Sequence, residues 1–371
     1  MIDPVKILQR AWYILWNYRA LWVFGLILAI ATGAGSSGNG GNNGMQYGND
    51  GHSYQTPSYG SVQEALKAFK QEVQKLFTQG IPEFHISGEA LTTFLWIIGI
   101  FVVFMLLVGI VVAIARYVSE TAVICMVDEY ENTGTKMTVR QGFRIGWSRA
   151  SWRLFLINLI VHLPVILLVL LLLIAGMIML VVIGNVNITL NPVNIVAMIG
   201  LVFLVIFVVI ILSIILGLLR QFFWRVCVLE EASVGESLRR GFTMVRENWK
   251  NVGLMWLVMI GLGIAWAIVS IIAVIITIPI VIVTSIIAVI VVAIPALLLV
   301  GIFSLFLGGP LPWIAGALFV LPLFFLIAFS PWLMLGSWQK VYTSTVWTLT
   351  YREIKALPAL TPDTEVQPAG D

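Results

Sequence analysis

Long apolar tracts separated by short charged segments run through the chain, and they set its architecture before any single residue is weighed. Tracts long enough for a helix to cross hydrocarbon, about 20 apolar residues each, fall near 18–34, 91–117, 153–183, 194–224, 251–281 and 312–339. No Asp, Glu, Lys or Arg stands between Lys250 and Lys340. The pattern predicts an all-α fold, a polytopic transmembrane helical bundle of about six spans. Residues 282–308 are apolar enough to cross alone, yet Pro279, Pro295, Gly308, Gly309, Pro310 and Pro312 punctuate that region. Such residues break straight helices, so a re-entrant or outer-leaflet hairpin is expected there.

The segments between the tracts differ in kind. Residues 35–60 are rich in Gly, Asn, Ser and Tyr with almost no aliphatic residue; they cannot offset their ordering entropy and predict a disordered outside loop. Ser61 and Glu64 then form a capping-box pair, and Val62, Leu66, Phe69, Val73 and Leu76 recur at helical spacing, predicting an outside amphipathic helix over 62–79. The end, 356–371, reads as a disordered tail. Residues 1–355 are expected to form a single transmembrane domain.

A motif returns along the chain. The segment from Val123 to Phe143 aligns with that from Val226 to Phe242 after a three-residue gap, so that Cys125 meets Cys227, Glu129 meets Glu231, Arg140 meets Arg239 and Gly142 meets Gly241. The N-terminal VKILQRAW extends the set, with Leu8 on Val139 and Leu238, Arg10 on Gln141 and Arg240, and Trp12 on Phe143 and Phe242. In the third copy Ser233 and Glu236 make a capping-box pair, Val234, Leu238, Phe242, Val245 and Trp249 form an apolar stripe, and Arg239, Arg240, Arg246 and Lys250 take the remaining surface. In the first, Asp3 can cap a helix with Pro4 at its first position, and Val5, Leu8, Trp12 and Leu15 repeat the stripe. A stripe carrying Trp and edged by Arg suits the lipid headgroup layer. The reading is three repeated units, about 1–130, 131–231 and 232–355, each an interfacial amphipathic helix followed by two crossings.

The VLEEASVGESLRRGF segment, Val228 to Phe242, followed by an apolar span, resembles the membrane domain associated with glycerophosphoryl diester phosphodiesterases and related uncharacterised bacterial six-span membrane protein families. That likeness implies a membrane-anchoring or lipid-facing module. The catalytic barrel of those phosphodiesterases, about 250 residues, has no room here, so their hydrolysis is not carried over.

Composition narrows the choice of partner. The chain is 60% apolar and 11% charged, against about a quarter charged in soluble domains. Under the six-span layout 18 of the 21 Lys and Arg residues fall on one side, and Lys67, Lys70 and Lys75 fall opposite. The positive-inside rule then puts both termini in the cytoplasm of a cell membrane. The basic residues are dispersed among carboxylates, which argues against nucleic acid and leaves membrane lipids, especially anionic headgroups at the cytoplasmic face, and protein partners. Cys125 and Cys227 read as buried thiols.

Catalytic groups are scarce. His52 and His85 read as solvated loop residues, and no HExxH, GxSxG, GxGxxG or Walker-type sequence accompanies them. Neither a metal site, a cofactor nor an enzymatic activity is expected. His162 stands inside a predicted span, two residues before Pro164, where an ionisable group warrants a functional hypothesis; it either bonds a carbonyl or Asn158, or lines a path for substrate. No carboxylate falls within the predicted spans, which weighs against ion-coupled transport. Asp128, Glu129, Glu230 and Glu231 are expected to pair with Arg140, Arg239 and Arg240 at the turns. The binding candidates are therefore His162, Arg239 and Arg240, in a non-catalytic membrane module; the alternative is a transporter or flippase for a small apolar or amphipathic molecule. A reporter fused after Asp371 should be inaccessible from outside an intact cell, and labelling of it there would overturn the six-span layout.

Overall fold

The computed structural model describes residues 2–33, 88–185, 192–308 and 311–360, and every regular element among them is helical. They are α1 (Pro4–Asn17), α2 (Ala20–Thr32), α3 (Gly88–Thr133), α4 (Val139–Gly146), α5 (Arg149–Asn185), α6 (Pro192–Leu229), α7 (Val234–Glu247), α8 (Trp249–Phe303), α9 (Leu311–Ala328) and α10 (Ser330–Leu360). The segments expected as an outside loop at 35–60 and an outside helix at 62–79 lie outside the described residues. So does the chain beyond Leu360; the last helix itself continues past the boundary drawn at 355.

Five helices are long and apolar enough to cross a membrane, or six if α1 and α2, bent by 100° at their junction, count as one. Their apolar residues face outward all round, as on Leu171, Phe203, Ile271 and Ile290, which is what a helix solvated by hydrocarbon requires. The chain is thus an all-α polytopic membrane protein.

The expected break at 282–308 is corrected. Helix α8 runs unbroken for 55 residues through Pro279 and Pro295, and the chain turns only at Ser304–Leu307. In hydrocarbon an irregular backbone strands several polar groups, whereas one proline inside a helix forfeits about one hydrogen bond. Helix continuity therefore wins, at Pro164 and Pro322 as well. The first tract also differs from a simple span. Helix α2 has 13 residues, about 20 Å at helical rise against about 30 Å of hydrocarbon.

The described contacts fall into two compact units. One takes in the N-terminal helices, Leu107–Ser285 and the chain from Ala328; the other takes in the segment ending at Leu106 and Ile286–Ile327. In the second, Ile97, Leu307, Leu311 and Ala315 are buried with Phe303 and Phe319, and the Phe319 ring lies 5.0 Å from that of Phe101. Gly316 admits Val300 so closely that an added Cβ would stand 2.6 Å from its Cγ2.

The first unit holds the main core. Helix α2 lies along α10, buried through Leu21, Phe24, Gly25, Leu28 and Ala29. A Cβ on Gly25 would meet Val341 Cγ2 at 2.5 Å and the Ser337 carbonyl at 2.7 Å. Around the bend from α1, Trp12, Trp16, Trp22 and Trp338 pack edge to face or tilted, with ring centroids 5.3–5.7 Å apart. The Trp22 indole donates to Leu15 O, and the Tyr342 hydroxyl to Leu8 O. Tyr18 at the corner donates to Met137 O and accepts from Met137 N, tying it to the chain leading into α4.

Helices α1, α4 and α7 each precede an apolar helix, and each has a side-chain cap. Asp3 accepts from Val5 N and Lys6 N. Thr138 and Gln141 form a full reciprocal capping box. Ser233 accepts from Glu236 N, but Glu236 turns to Arg240 in place of completing the expected box. In the aligned register Ala11, Gly142 and Gly241 are all buried, while Trp12, Phe143 and Phe242 beside them are exposed. A small residue lets each helix lie against the core, Gly142 on Phe24 and Met126 and Gly241 on Phe223. The buried stripe therefore runs through the small residue, and the aromatics expected in that stripe point outward.

Gly25→Ala should lower the melting temperature of the purified protein, costing about 1–3 kcal/mol through overpacking. Gly253→Ala, where an added Cβ meets nothing within 4 Å, should leave it level or slightly raised. Equal behaviour of the two would remove the α2–α10 contact from its central place.

Candidate functional site

Two polar assemblies stand on the first unit, and both gather residues far apart in sequence. One rings the ends of α3, α6 and α10. Glu230 accepts from Tyr351 Oη at 2.7 Å, Lys355 Nζ at 2.7 Å and Arg240 Nη1 at 3.1 Å. Asp128 pairs with Arg352, which also donates to Asn132 Oδ1 at 2.7 Å, and Glu131 accepts from Arg10 Nε at 3.0 Å. Five helices, α1, α3, α6, α7 and α10, are thereby tied together by side chains that are partly shielded.

The expected partners are only partly the observed ones. Arg240 does bind Glu230, whereas Asp128 goes to α10, and no ion pair of Arg140, Arg239, Glu129 or Glu231 is found among the described residues. Glu231 serves through its backbone. It adopts φ 51°, and Arg153 of α5 donates to its carbonyl at 2.7 Å and to that of Ala232 at 3.2 Å. A left-handed residue that is not glycine costs about 1–2 kcal/mol, which this clamp offsets at the corner from α6 to α7.

Charge settles the state of the Glu230 hub. Burial alone raises a carboxyl's pKa, but here the bonds from Lys355, Tyr351 and Arg240 outweigh it and hold Glu230 below the usual glutamate range. Tyr351 responds in the opposite sense: burial and the adjacent Glu230 carboxylate push its phenol up.

The second assembly lies where the apolar tracts end. Arg116 and Glu120 of α3, Arg220 and Gln221 of α6, and Gln339, Lys340, Thr343 and Ser344 of α10 surround a cavity of about 90 Å³. Glu120 accepts from Ser344 Oγ at 2.8 Å. Arg225, fully buried one turn beyond, donates to Gln221 O and Oε1 and, at 3.0 Å, to Ser344 O. Arg220 stacks over Trp224 at 4.9 Å and donates to Asn158 Oδ1 at 3.1 Å. Glu120 lies just beyond the span expected at 91–117, on the same helix, which continues to Thr133.

His162 meets this layer at its edge. Its Nδ1 lies 2.8 Å from Asn158 O and its Nε2 3.5 Å from Arg220 Nη1, so the tautomer with hydrogen on Nδ1 suits both neighbours. The cavity beside it, shared with Ser213, Gly217 and Arg220, is about 40 Å³, on the order of one water. Arg239 lines an open groove on α7 together with Arg240, Thr243, Lys355 and the carboxylates Glu236 and Glu247. Of the three sequence candidates, His162 flanks the cationic layer, whereas Arg239 and Arg240 share the α7 groove and Arg240 is the one bonded to the Glu230 hub. The residues that sequence reasoning missed are Arg116, Glu120, Arg220 and Lys340. Arg116, Arg220 and Lys340 each stand at the first charge after an apolar tract, and that common position was their signal.

A family model described as a Family of unknown function (DUF7544) matches residues 12–346. No curated protein and no solved structure matches the chain.

Because folding depresses the Glu230 pKa, its stabilisation is complete above the ordinary glutamate value, about 4.3. It is lost as pH falls through the lower folded value. Glu230→Gln should cost about 1–3 kcal/mol at neutral pH, with the deficit closing on acidification below that range. Thermal unfolding in detergent across pH measures this, and a pH-independent deficit would show that the charge of Glu230 is not what matters.

Proposed function

The chain belongs to the Family of unknown function (DUF7544), and we propose that it is a non-catalytic membrane module that organises anionic lipid at the cytoplasmic leaflet. The observation that carries this reading is the collar of α1, α4 and α7. Each lies on the core through a small buried residue and turns an aromatic side chain outward: Trp12, Phe143 and Phe242. Exposed Trp147 and Trp249 stand at the entry to the following helices. Exposed basic residues on the same helices, Arg140, Arg144, Arg239 and Arg246, supply attraction to anionic headgroups. Aromatic rings at the headgroup level with cations beside them are the usual dress of a membrane interface.

In this reading the three helices are copies of one unit, the charged ends are cytoplasmic, and the ring around Glu230 holds the collar in place. The likeness of Val228–Phe242 to the membrane domain beside glycerophosphoryl diester phosphodiesterases points the same way. A transporter has less support. The space beside His162, about 40 Å³, is small for anything but water.

Arg240 is unsuited to a test of surface attraction because it also secures Glu230 and Glu236. Arg239→Gln with Arg246→Gln leaves that hub intact. The double variant should copurify with a smaller share of anionic lipid, by roughly 1 kcal/mol of attraction per charge, as read by lipid mass spectrometry. An unchanged headgroup composition would sink the lipid-organising role of the collar.

A further inference from the structure

We propose that the cavity between α3, α6 and α10 binds the phosphate of one anionic phospholipid, whose hydrocarbon lies in the adjoining groove on α8. This deepens the lipid-organising reading and rests on it, adding a discrete site to a diffuse surface.

The pocket has the charge for it. Arg116, Arg220 and Lys340 line it against a single carboxylate, Glu120. A phosphodiester anion offsets part of that excess, and guanidinium groups match phosphate oxygens in geometry as well as charge. The Nε of Arg220 and the indole Nε1 of Trp224, on two residues of its wall, are buried and meet no acceptor among the described residues. Buried donors without acceptors are costly. Arg220 does not simply extend toward water as a snorkelling side chain does, because Trp224 and Asn158 hold its guanidinium within the protein.

The apolar half is next door. A groove of about 390 Å³ runs along α8 past Trp256, Met259, Ile260 and Gly263, with Ile214 of α6 on its other wall. Gln221, Gln339 and Thr343 line both spaces. A cationic pocket that shares part of its lining with a largely apolar groove suits a molecule with an acidic head and an apolar body. Free phosphate would use only the pocket, and a zwitterionic lipid would bring a cation to a site already rich in them.

The test is native mass spectrometry of the full chain in mild detergent, titrated with phosphatidylglycerol, with phosphatidylcholine, and with phosphatidylglycerol plus excess inorganic phosphate. The wild type should retain one phosphatidylglycerol at about tenfold higher affinity than phosphatidylcholine. Arg220→Gln with Lys340→Gln should lose about tenfold or more. Glu120→Gln should bind tighter, a gain that misfolding cannot produce. Equal retention of the two lipids, or undiminished phosphatidylglycerol binding in the double variant, would overturn the site. Full displacement by inorganic phosphate would assign the pocket to a free anion and overturn the lipid. Should the site fail while Arg239→Gln with Arg246→Gln still lowers the anionic share, the collar reading stands and only the discrete pocket falls.

Discussion

The close approach of α2 to α10 is the contact on which the rest of the first unit depends. Gly25 leaves no side chain between the helices, so the Ser337 carbonyl and Val341 fill the space where a Cβ would stand. Ser337 donates its hydroxyl to Trp22 O across the same seam. With α2 fixed there, the bend from α1 is closed by interlocked indoles, and Tyr18 at its corner anchors the start of α4 through Met137. Dispersion between well-fitted surfaces is a large part of what hydrocarbon-embedded helices have to hold them, since lipid tails are as apolar as leucine.

Polar chemistry then divides the unit by depth along its helices. The apolar stretches end at Arg116, Arg220 and Lys340; beyond them comes a packed core with Met126, Phe222, Val226 and Trp347, and beyond that the ring around Glu230 and Asp128. Fully buried Arg225 links the layers through Gln221 and Ser344. A buried guanidinium is costly unless its donors are met; the Gln221 and Ser344 carbonyls and Gln221 Oε1 take both Nη groups, and Nε has no acceptor among the described residues. The ring contributes a separate service: it fixes where α7 leaves α6, so that the outward aromatic and basic residues of the collar are presented at a set angle.

The local features were readable because they depend on neighbours in sequence. Helical class followed from tract length and composition. The caps at Asp3 and Ser233 followed from residue type at a helix start, and the short amphipathic helices from spacing of three and four. What proline would do at 279 and 295 was misread, because the rule that it breaks helices presumes water to satisfy the freed backbone. The partners of the carboxylates were misread for another reason. Asp128 meets Arg352 and Glu230 meets Lys355 across more than a hundred residues, and charge pattern along one segment carries no information about which distant helix will stand beside it.

The sequence by itself determined that this is a helical membrane chain built on long apolar tracts, and that caps and amphipathic faces mark the short helices between them. Those properties come from hydration of side chains and from bonds within a turn or two. Only the tertiary structure decided that Arg116, Glu120, Arg220 and Lys340 share one cavity, that Arg240 is a tie while Arg239 faces out, and that the collar aromatics point away from the core. Each of these is a matter of which helices adjoin, and that is fixed by close packing at places such as Gly25, Gly142 and Gly241, where the absence of a side chain matters only once its neighbour is known.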